Sequence, residues 1–306
     1  MPSGAVRIPG WAVGAAAVVA SAAVLAAVLF SVLAPDESAQ PAASASASPA
    51  SPKASPPPRK SAPPNEAEAE RRRARMWAPA PGTRWQWQLT TPVDLGVDVP
   101  VHDIDGFGNG ADVVREVHRR GRRVICYINV GAAESYRPDN AAFPAAVLGK
   151  GNGWPGERWL DIRRTDVLAP IMARRFDMCR DKGFDAVEPD LLDGYASDTG
   201  FPLTAAHQLR YNRLIARLAH ERGMSVALKN DLAQIPALVG TFDFAINEQC
   251  AEFGECRRLL PFVRAGKAVL HVEYNMAAAD FCRQTRALGF ASMRKRLDLD
   301  AWRQPC

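Results

Sequence analysis

One cadence recurs through this chain and limits its fold more than any other feature. A polar, Arg-rich helical segment ends in glycine, a few residues follow, and an apolar run then finishes on polar side chains. It appears at Arg119-Arg-Gly121 before Val124–Asn129, at Asp181-Lys-Gly183 before the stretch that reaches Asp190, and at Glu221-Arg-Gly223 before Val226–Asp231. Arg264-Ala-Gly266 before Val269–Asn275 and Ala287-Leu-Gly289 before Phe290–Arg294 continue it. Glycine just past the last helical turn takes the left-handed conformation that closes a helix, so each repeat reads as helix, stop, strand. Trp85–Leu89, Pro100–Asp105 and Phe242–Glu248 bring the strands to eight, and segments such as Val113–Arg120, Val167–Arg180 and Thr204–Arg222 lie between most of them as helices. Eight βα units fit a (β/α)8 TIM barrel, an α/β fold. A doubly wound sheet is the competing fold. Against it, no Gly-x-Gly-x-x-Gly follows the first strand and nearly every strand ends polar.

The barrel takes only part of the 306 residues. Trp11 to Leu33 is an uncharged apolar run, long enough to cross a bilayer as a helix and longer than the core of a cleaved signal peptide. Arg7 before it and Asp36 and Glu37 after it orient the N-terminus to the cytoplasm. Pro35 is a poor residue to follow a cleavage site, so residues 1–34 are expected to stay as a membrane anchor with the bulk of the protein outside. If the segment is cut, that bulk is secreted. Residues 35–82 are dominated by Ala, Ser and Pro and then by Glu and Arg. With almost no large apolar side chains they cannot offset the entropy of ordering, and a disordered tether is expected. The folded domain is then 83–306. The chain has 38 basic and 33 acidic residues; 8 and 5 of these fall in 1–82, so the domain's charges nearly cancel and the overall positive charge says little about its ligand. All six cysteines lie in the domain, where export favours pairing. Cys250 and Cys256 can close a small loop and Cys282 can reach Cys306. Cys126 and Cys179 are left as a third bridge or two buried thiols.

The stretch Gly183–Tyr195 turns from apolar Phe184, Ala186 and Val187 to acidic Glu188, Asp190 and Asp193. Period-two geometry puts Glu188 and Asp190 on one face, and ionised carboxylates are costly on a buried strand unless they are used. The other strand ends present Trp87, Asp103 and Asp105, then Tyr127, Asn129 and Glu134, then Lys229, Asn230 and Asp231. Asn247, Glu248 and Gln249, Glu273 and Tyr274, and Arg294 and Arg296 complete the set. In a barrel these converge on one mouth. The set is rich in carboxylates, amides and aromatics. Three of the five histidines lie in helical segments and no Gly-x-Ser-x-Gly elbow occurs. Such fittings suit a carbohydrate site, where two carboxylates flank a glycosidic bond. No cofactor is needed for that chemistry, no cysteine or histidine spacing suggests a metal, and nucleic acid is not an expected partner of an exported chain. A monomer is expected. Plainer roles stand beside these: Glu188 as a structural acid bonded to Lys229, Asp105 as a helix cap, and Tyr127, Tyr274 and Trp87 as barrel packing. Trp154 and Trp159 read as structural loop residues. Lys229, at a buried strand end, needs a carboxylate partner.

Several stretches, taken in order, resemble glycoside hydrolase family 114. They are Val124–Gly131, Trp154-Pro-Gly-Glu-Arg-Trp-Leu-Asp-Ile162, Asp185-Ala-Val-Glu-Pro-Asp190, Thr199–Thr204, Leu228-Lys-Asn-Asp231, Glu248-Gln-Cys250 and Val272-Glu-Tyr274. That family contains endo-α-1,4-polygalactosaminidases. The resemblance implies an Asp after the fourth strand and a Glu after the sixth as the catalytic pair, here Asp190 as nucleophile or base and Glu248 as general acid. It implies substrate contacts from Asp105, Tyr127, Glu188, Tyr195, Lys229, Asn230, Glu273 and Tyr274. Leu191-Leu192 stands where the family often has Asn and Val, so a differently shaped subsite is expected. A partly deacetylated galactosamine polymer is cationic, which matches an acidic mouth. A hydrolase of another α-galactosidic glycan, or a non-catalytic glycan-binding barrel on a stalk, is the alternative.

Overall fold

The computed structural model describes residues 71, 73 and 75–306. The apolar run Trp11–Leu33 and most of the 35–82 linker lie outside the described residues. Among the described residues, no helix is long and apolar enough to cross a membrane.

Along the chain the strands are β1 (Trp85–Gln88), β2 (Val101–Asp105), β3 (Arg123–Asn129), β4 (Ala132–Glu134), β5 (Leu148–Gly151), β6 (Glu157–Leu160) and β7 (Ala186–Asp190). They continue as β8 (Ser225–Lys229), β9 (Phe244–Glu248), β10 (Val269–Glu273), β11 (Ala291–Arg294) and β12 (Gln304–Pro305). The α-helices are α1 (Ala111–Arg119), α2 (Thr165–Lys182), α3 (Ala205–Glu221), α4 (Ile235–Leu238), α5 (Leu260–Arg264) and α6 (Ala278–Ala287). The eight strands expected from the sequence are the eight that run parallel, in the order β1-β2-β3-β7-β8-β9-β10-β11. All five cadence glycines have positive φ, from +69° at Gly266 to +94° at Gly183, as a helix stop requires.

These strands curl into a TIM-type barrel with two apolar layers. Trp85, Val101, Ile125, Ala186, Ala227, Phe244, Leu270 and Met293 fill its interior. Their chain neighbours, such as Val124, Val187, Val226 and Ala245, pack in a second layer with the helix residues Leu168, Phe176 and Ile215. Each fully buried side chain of this size contributes roughly 1.5–3 kcal/mol. The seam between β11 and β1 is closed by the C-terminal segment. Leu89 N donates to Leu299 O at 2.9 Å and Gln86 Nε2 to Ala301 O at 2.8 Å, while Trp85 Nε1 reaches Ala291 O of β11 directly at 3.0 Å. β12 pairs antiparallel with β11, and Cys282–Cys306 ties the tail to α6. Cys250 is bonded to Cys256, and Cys126 to Cys179, so the pair left open by the sequence is a third bridge, joining β3 to α2.

Two features were not expected. Between β3 and α2 the chain makes an excursion, the antiparallel sheet β4-β6-β5. Trp159 lies on its strand β6, not in a loop, and is buried, packing near Gly194. The chain also engages the barrel upstream of Thr83: Arg73 bonds Asp243 Oδ1 and Gly240 O, each at 2.8 Å, and Trp77 packs against the interior cluster.

Candidate active site

Three neighbouring strands bring the central charges together. Asp190 ends β7, Lys229 ends β8 and Glu248 ends β9. The Lys229 ammonium lies 2.8 Å from Asp190 Oδ1, 3.1 Å from Glu248 Oε2 and 3.2 Å from Glu188 Oε1, and 4.7 Å above the Trp87 ring. Asp190 Oδ2 accepts the Tyr127 hydroxyl at 2.8 Å. Glu248 Oε1 accepts the Tyr274 hydroxyl, and Oε2 accepts Asn230 Nδ2 at 3.3 Å. Both carboxylates therefore reach one cation from opposite sides, each steadied by a tyrosine.

The residue after each of these three side chains has a left-handed backbone: Leu191 at φ +61°, Asn230 at +50° and Gln249 at +63°. For non-glycine residues this conformation is uncommon and costs of order 1–3 kcal/mol, and such positions cluster at active sites. Here it turns the chain away at once and leaves each functional side chain at the strand's edge. Gly131 faces this turn. A Cβ on it would sit 2.1 Å from Leu191 O and 2.5 Å from Leu191 Cβ. Gly131→Ala is expected to push Leu191, and Asp190 with it, and to lower kcat by about 10²-fold, since misplacement near 1 Å costs that much. Steady-state kinetics check this; full activity in a folded variant would show that the turn does not set Asp190.

Protonation follows from the same contacts. Burial works against ionisation of Asp190, but the Lys229 charge and the hydrogen bonds from Lys229 and Tyr127 outweigh it and hold the carboxyl below its usual range. Burial also opposes the Lys229 charge, yet Asp190, Glu248 and Glu188 keep it well above its ordinary value. Burial, then the neighbouring carboxylates, push Tyr127 and Tyr274 up, so both remain donors. Beneath them Asp103 and Glu188 are fully buried, each within electrostatic reach of the other. Among the described residues no hydrogen-bond donor serves their four oxygens, and the ion contact to them is Lys229, 3.2 Å from Glu188 Oε1. Burial first, then repulsion from Glu188, raises Asp103 well above its usual value, and burial pushes Glu188 up to about 7 against the pull of the Lys229 charge. Asp231, buried and bonded to Asn212 through Oδ2, is pushed up to about 8 by burial and then by Asp193. A carboxyl raised in the fold contributes stability that is full below its unfolded value and is lost as pH rises through about 8. The melting temperature should fall from pH 6 to pH 9, and Asp231→Asn should flatten that slope in a thermal melt series.

A cavity of about 540 Å³ opens above this floor. Seven acids line it (Asp105, Glu134, Glu157, Asp190, Asp193, Glu248 and Asp298) against two cations, Arg137 and Lys229. Of the residues expected to contact substrate, Asp105, Tyr127, Lys229, Asn230 and Tyr274 are on its walls with Asp190 and Glu248. Glu188, Tyr195 and Glu273 are not among its lining residues. Glu188 is sealed below Lys229, as its structural alternative supposed. Glu273 is fully buried between His271 Nε2 at 2.8 Å and Ala251 N at 2.7 Å, where it anchors the loop that follows Glu248. Tyr195 sits in a short 3-10 turn held through its backbone by Gln208. Asp105 caps no helix: its carboxylate takes Gly108 N and both Arg137 amino groups, and the N-cap of α1 is Gly110. Leu191, at the position where the family differs, lines the cavity, while Leu192 is buried. Trp154 is a correction to the structural reading, because it stands 52% exposed on the wall. Tyr136, Arg137 and Glu157 were missed, although Glu157 lies inside the Trp154–Ile162 stretch that carries the family resemblance. A smaller hollow of about 330 Å³ beside Tyr274 and Arg294 has no acid in its lining.

Two carboxylates over a shared cation thus stand at the C-terminal mouth of a parallel barrel. Ega3 of Aspergillus fumigatus, solved in complex with galactosamine, is 38% identical over 75% of this chain and 97% of that one, with a TM-score of 0.72. The glycoside hydrolase domain of PelA from Pseudomonas aeruginosa shares the fold at 12% identity, with a TM-score of 0.58 over 74% of this chain and 98% of that domain. An uncharacterized protein of Deinococcus radiodurans is 31% identical over 216 residues, 63% of this chain and 68% of that protein. The profile of glycoside-hydrolase family GH114 matches residues 66–306, which spans the whole barrel and every group just described, and the chain is a glycoside hydrolase belonging to that family.

Proposed function

We propose that this hydrolase cleaves within α-1,4-linked galactosamine-containing polysaccharide, with Asp190 as nucleophile and Glu248 as general acid and then base. The observation that carries the reading is the pairing of these two carboxylates over Lys229 at the foot of an acid-lined cavity. Asp190 attacks the anomeric carbon while Glu248 protonates the departing glycosidic oxygen; that C–O bond breaks and a glycosyl ester on Asp190 forms. Glu248, now unprotonated, takes a proton from water, whose oxygen displaces Asp190 and frees the new reducing end. Asp190 Oδ1 and Glu248 Oε2 lie 2.8 and 3.1 Å from one nitrogen. Their separation is thus below the sum of those lengths and short of the ~6.5 Å at which inverting pairs begin, which supports retention.

The substrate is argued from charge and likeness. An excess of carboxylates suits a polymer bearing ammonium groups, and Ega3, solved with galactosamine, is the similar structure of highest identity described above. Three disulfides favour an oxidising compartment. Together with the apolar run at Trp11–Leu33 they support an extracytoplasmic barrel, membrane-anchored or secreted. The test is incubation of the full chain with galactosamine-rich exopolysaccharide. Mass spectrometry should find a ladder of oligosaccharides at early times, and proton NMR should find the α-anomer first. Release of monosaccharide alone would defeat endo action, and first appearance of the β-anomer would defeat retention.

A further inference from the structure

The β4–β6 excursion holds a carboxylate that has no counter-ion among the described residues. Glu157 lines the cavity, and its oxygens are met by neutral donors: Asn152 Nδ2 at 2.7 Å and Asn129 Nδ2 at 3.2 Å on Oε2, and the Tyr136 hydroxyl at 3.2 Å from Oε1. No cation lies within 4 Å of it among the described residues, whereas Asp105 and Glu134 share Arg137, and Asp190 and Glu248 share Lys229. Its register partner across the antiparallel pair is Glu134, a like charge directly opposite, which is an unfavourable arrangement. Donors are short as well. The Tyr136 hydroxyl lies 3.0 Å from Glu134 and 3.2 Å from Glu157, with one proton to give. Glu134 is 1% exposed on this same cavity wall, and its Oε2, 3.8 Å from the Arg175 guanidinium, has no hydrogen-bond partner among the described residues. Beside this anionic spot stand two large aromatic side chains that folding has not buried, Trp154 at 52% and Tyr136 at 60% exposure. Asn129 joins Glu157 to the reacting centre, since it is also the register partner of Asp190.

An anionic spot short of a cation and of a donor, flanked by exposed rings one side chain from the nucleophile, has the complement of a protonated amino sugar. Its ammonium brings a positive charge and three N–H donors, and its apolar ring face suits an aromatic platform. We propose that the β4–β6 excursion forms a sugar-binding subsite next to the cleavage point, in which Glu157 takes the ammonium of a deacetylated 2-amino sugar and Trp154 supplies the stacking face. This rests on the reading of the cavity as a glycan-cleaving site, and it assigns preference for deacetylated over N-acetylated units to Glu157, because acetylation removes the charge and adds bulk. Burial first, opposed by the Asn152 bond and reinforced by Glu134 and Asp190, raises the Glu157 carboxyl, the direction that a bound ammonium would reverse.

The full chain and its Glu157→Gln and Trp154→Ala variants are compared on α-1,4-galactosamine oligosaccharide and on its N-acetylated counterpart of equal length. Turnover is followed, and binding is measured by calorimetry. Glu157→Gln should weaken binding of the deacetylated oligosaccharide and raise its KM about tenfold, leave kcat near wild type, and leave the acetylated one unchanged. Trp154→Ala should weaken both. Glu157→Gln should also melt no lower than wild type, since it removes a repulsion with Glu134. Equal effects on both oligosaccharides, no effect on either, or a lowered melting temperature would overturn the proposal. If the wild type binds without cleaving and binding still depends on Glu157, the subsite stands and the hydrolytic reading fails. If it cleaves both alike, with and without Glu157, the reverse holds.

Discussion

Asp190→Asn is expected to reduce kcat on galactosamine polymer by on the order of 10⁴-fold while leaving the fold and polymer binding intact. The substitution is nearly isosteric: the amide oxygen still accepts from Lys229, and the Tyr127 hydroxyl can turn to accept from the amide nitrogen. On the proposed mechanism, what disappears is the negative charge that attacks the anomeric carbon, so the glycosyl ester cannot form. Glu248→Gln should cost a similar factor on the natural polymer but much less on an aryl glycoside whose leaving group departs without a proton. The comparison separates the roles. Recovery of Asp190→Asn rather than Glu248→Gln on the activated substrate would exchange the two assignments, and activity of Asp190→Asn on polymer near wild type would remove Asp190 from the chemistry.

Lys229→Met is expected to damage stability and activity together. The ammonium is 2% exposed and touches Asp190, Glu248 and Glu188. Removing one member of a buried ionic cluster costs about 3–5 kcal/mol because the remaining charges stay uncompensated. For a body of this size the melting temperature should fall by roughly 10 °C. The pH dependence should change sign at Asp190. In the wild type its folded value is depressed, so it contributes stability above its unfolded value and loses it as pH falls through the folded one. Without Lys229, burial is left as the main influence and raises Asp190. The variant should therefore gain stability on acidification, and the acid limb of kcat/KM should move to higher pH. Thermal melts and pH–rate profiles read both. A Lys229→Met protein that melts with the wild type would show that the three carboxylates do not depend on this cation.

Much of the barrel was legible because its signals are local. A glycine stop and the apolar run after it are decided within a dozen residues, and all eight parallel strands appeared where the five repeats of the cadence and the three further apolar runs put them. The β4-β5-β6 excursion was not legible. Its strands are short, two hold exposed or glycine-rich positions such as Lys150 and Gly151, and no run there alternates cleanly. The closure of the seam by Leu299 and Ala301 was hidden for a related reason: it uses one backbone bond and one side-chain bond, which leave no periodic trace.

The candidate site divides in the same way. Strand parity, a property of the chain alone, put Glu188 and Asp190 on one face, and the composition of the strand ends pointed to acid chemistry. It could not choose between adjacent Glu273 and Tyr274, because a parallel strand covered on both sides is apolar on both and does not say which face is inward. Packing chose Tyr274, on the parity of Leu270 and Val272, and left Glu273 to hold a loop. Nor could the order of residues say which cation serves which acid. Arg137 claims Asp105 from 32 positions away, Lys229 gathers three carboxylates from two other strands, and Glu157 is left with none. Charge pairing acts across space at a few ångströms, so only the closed barrel decided it.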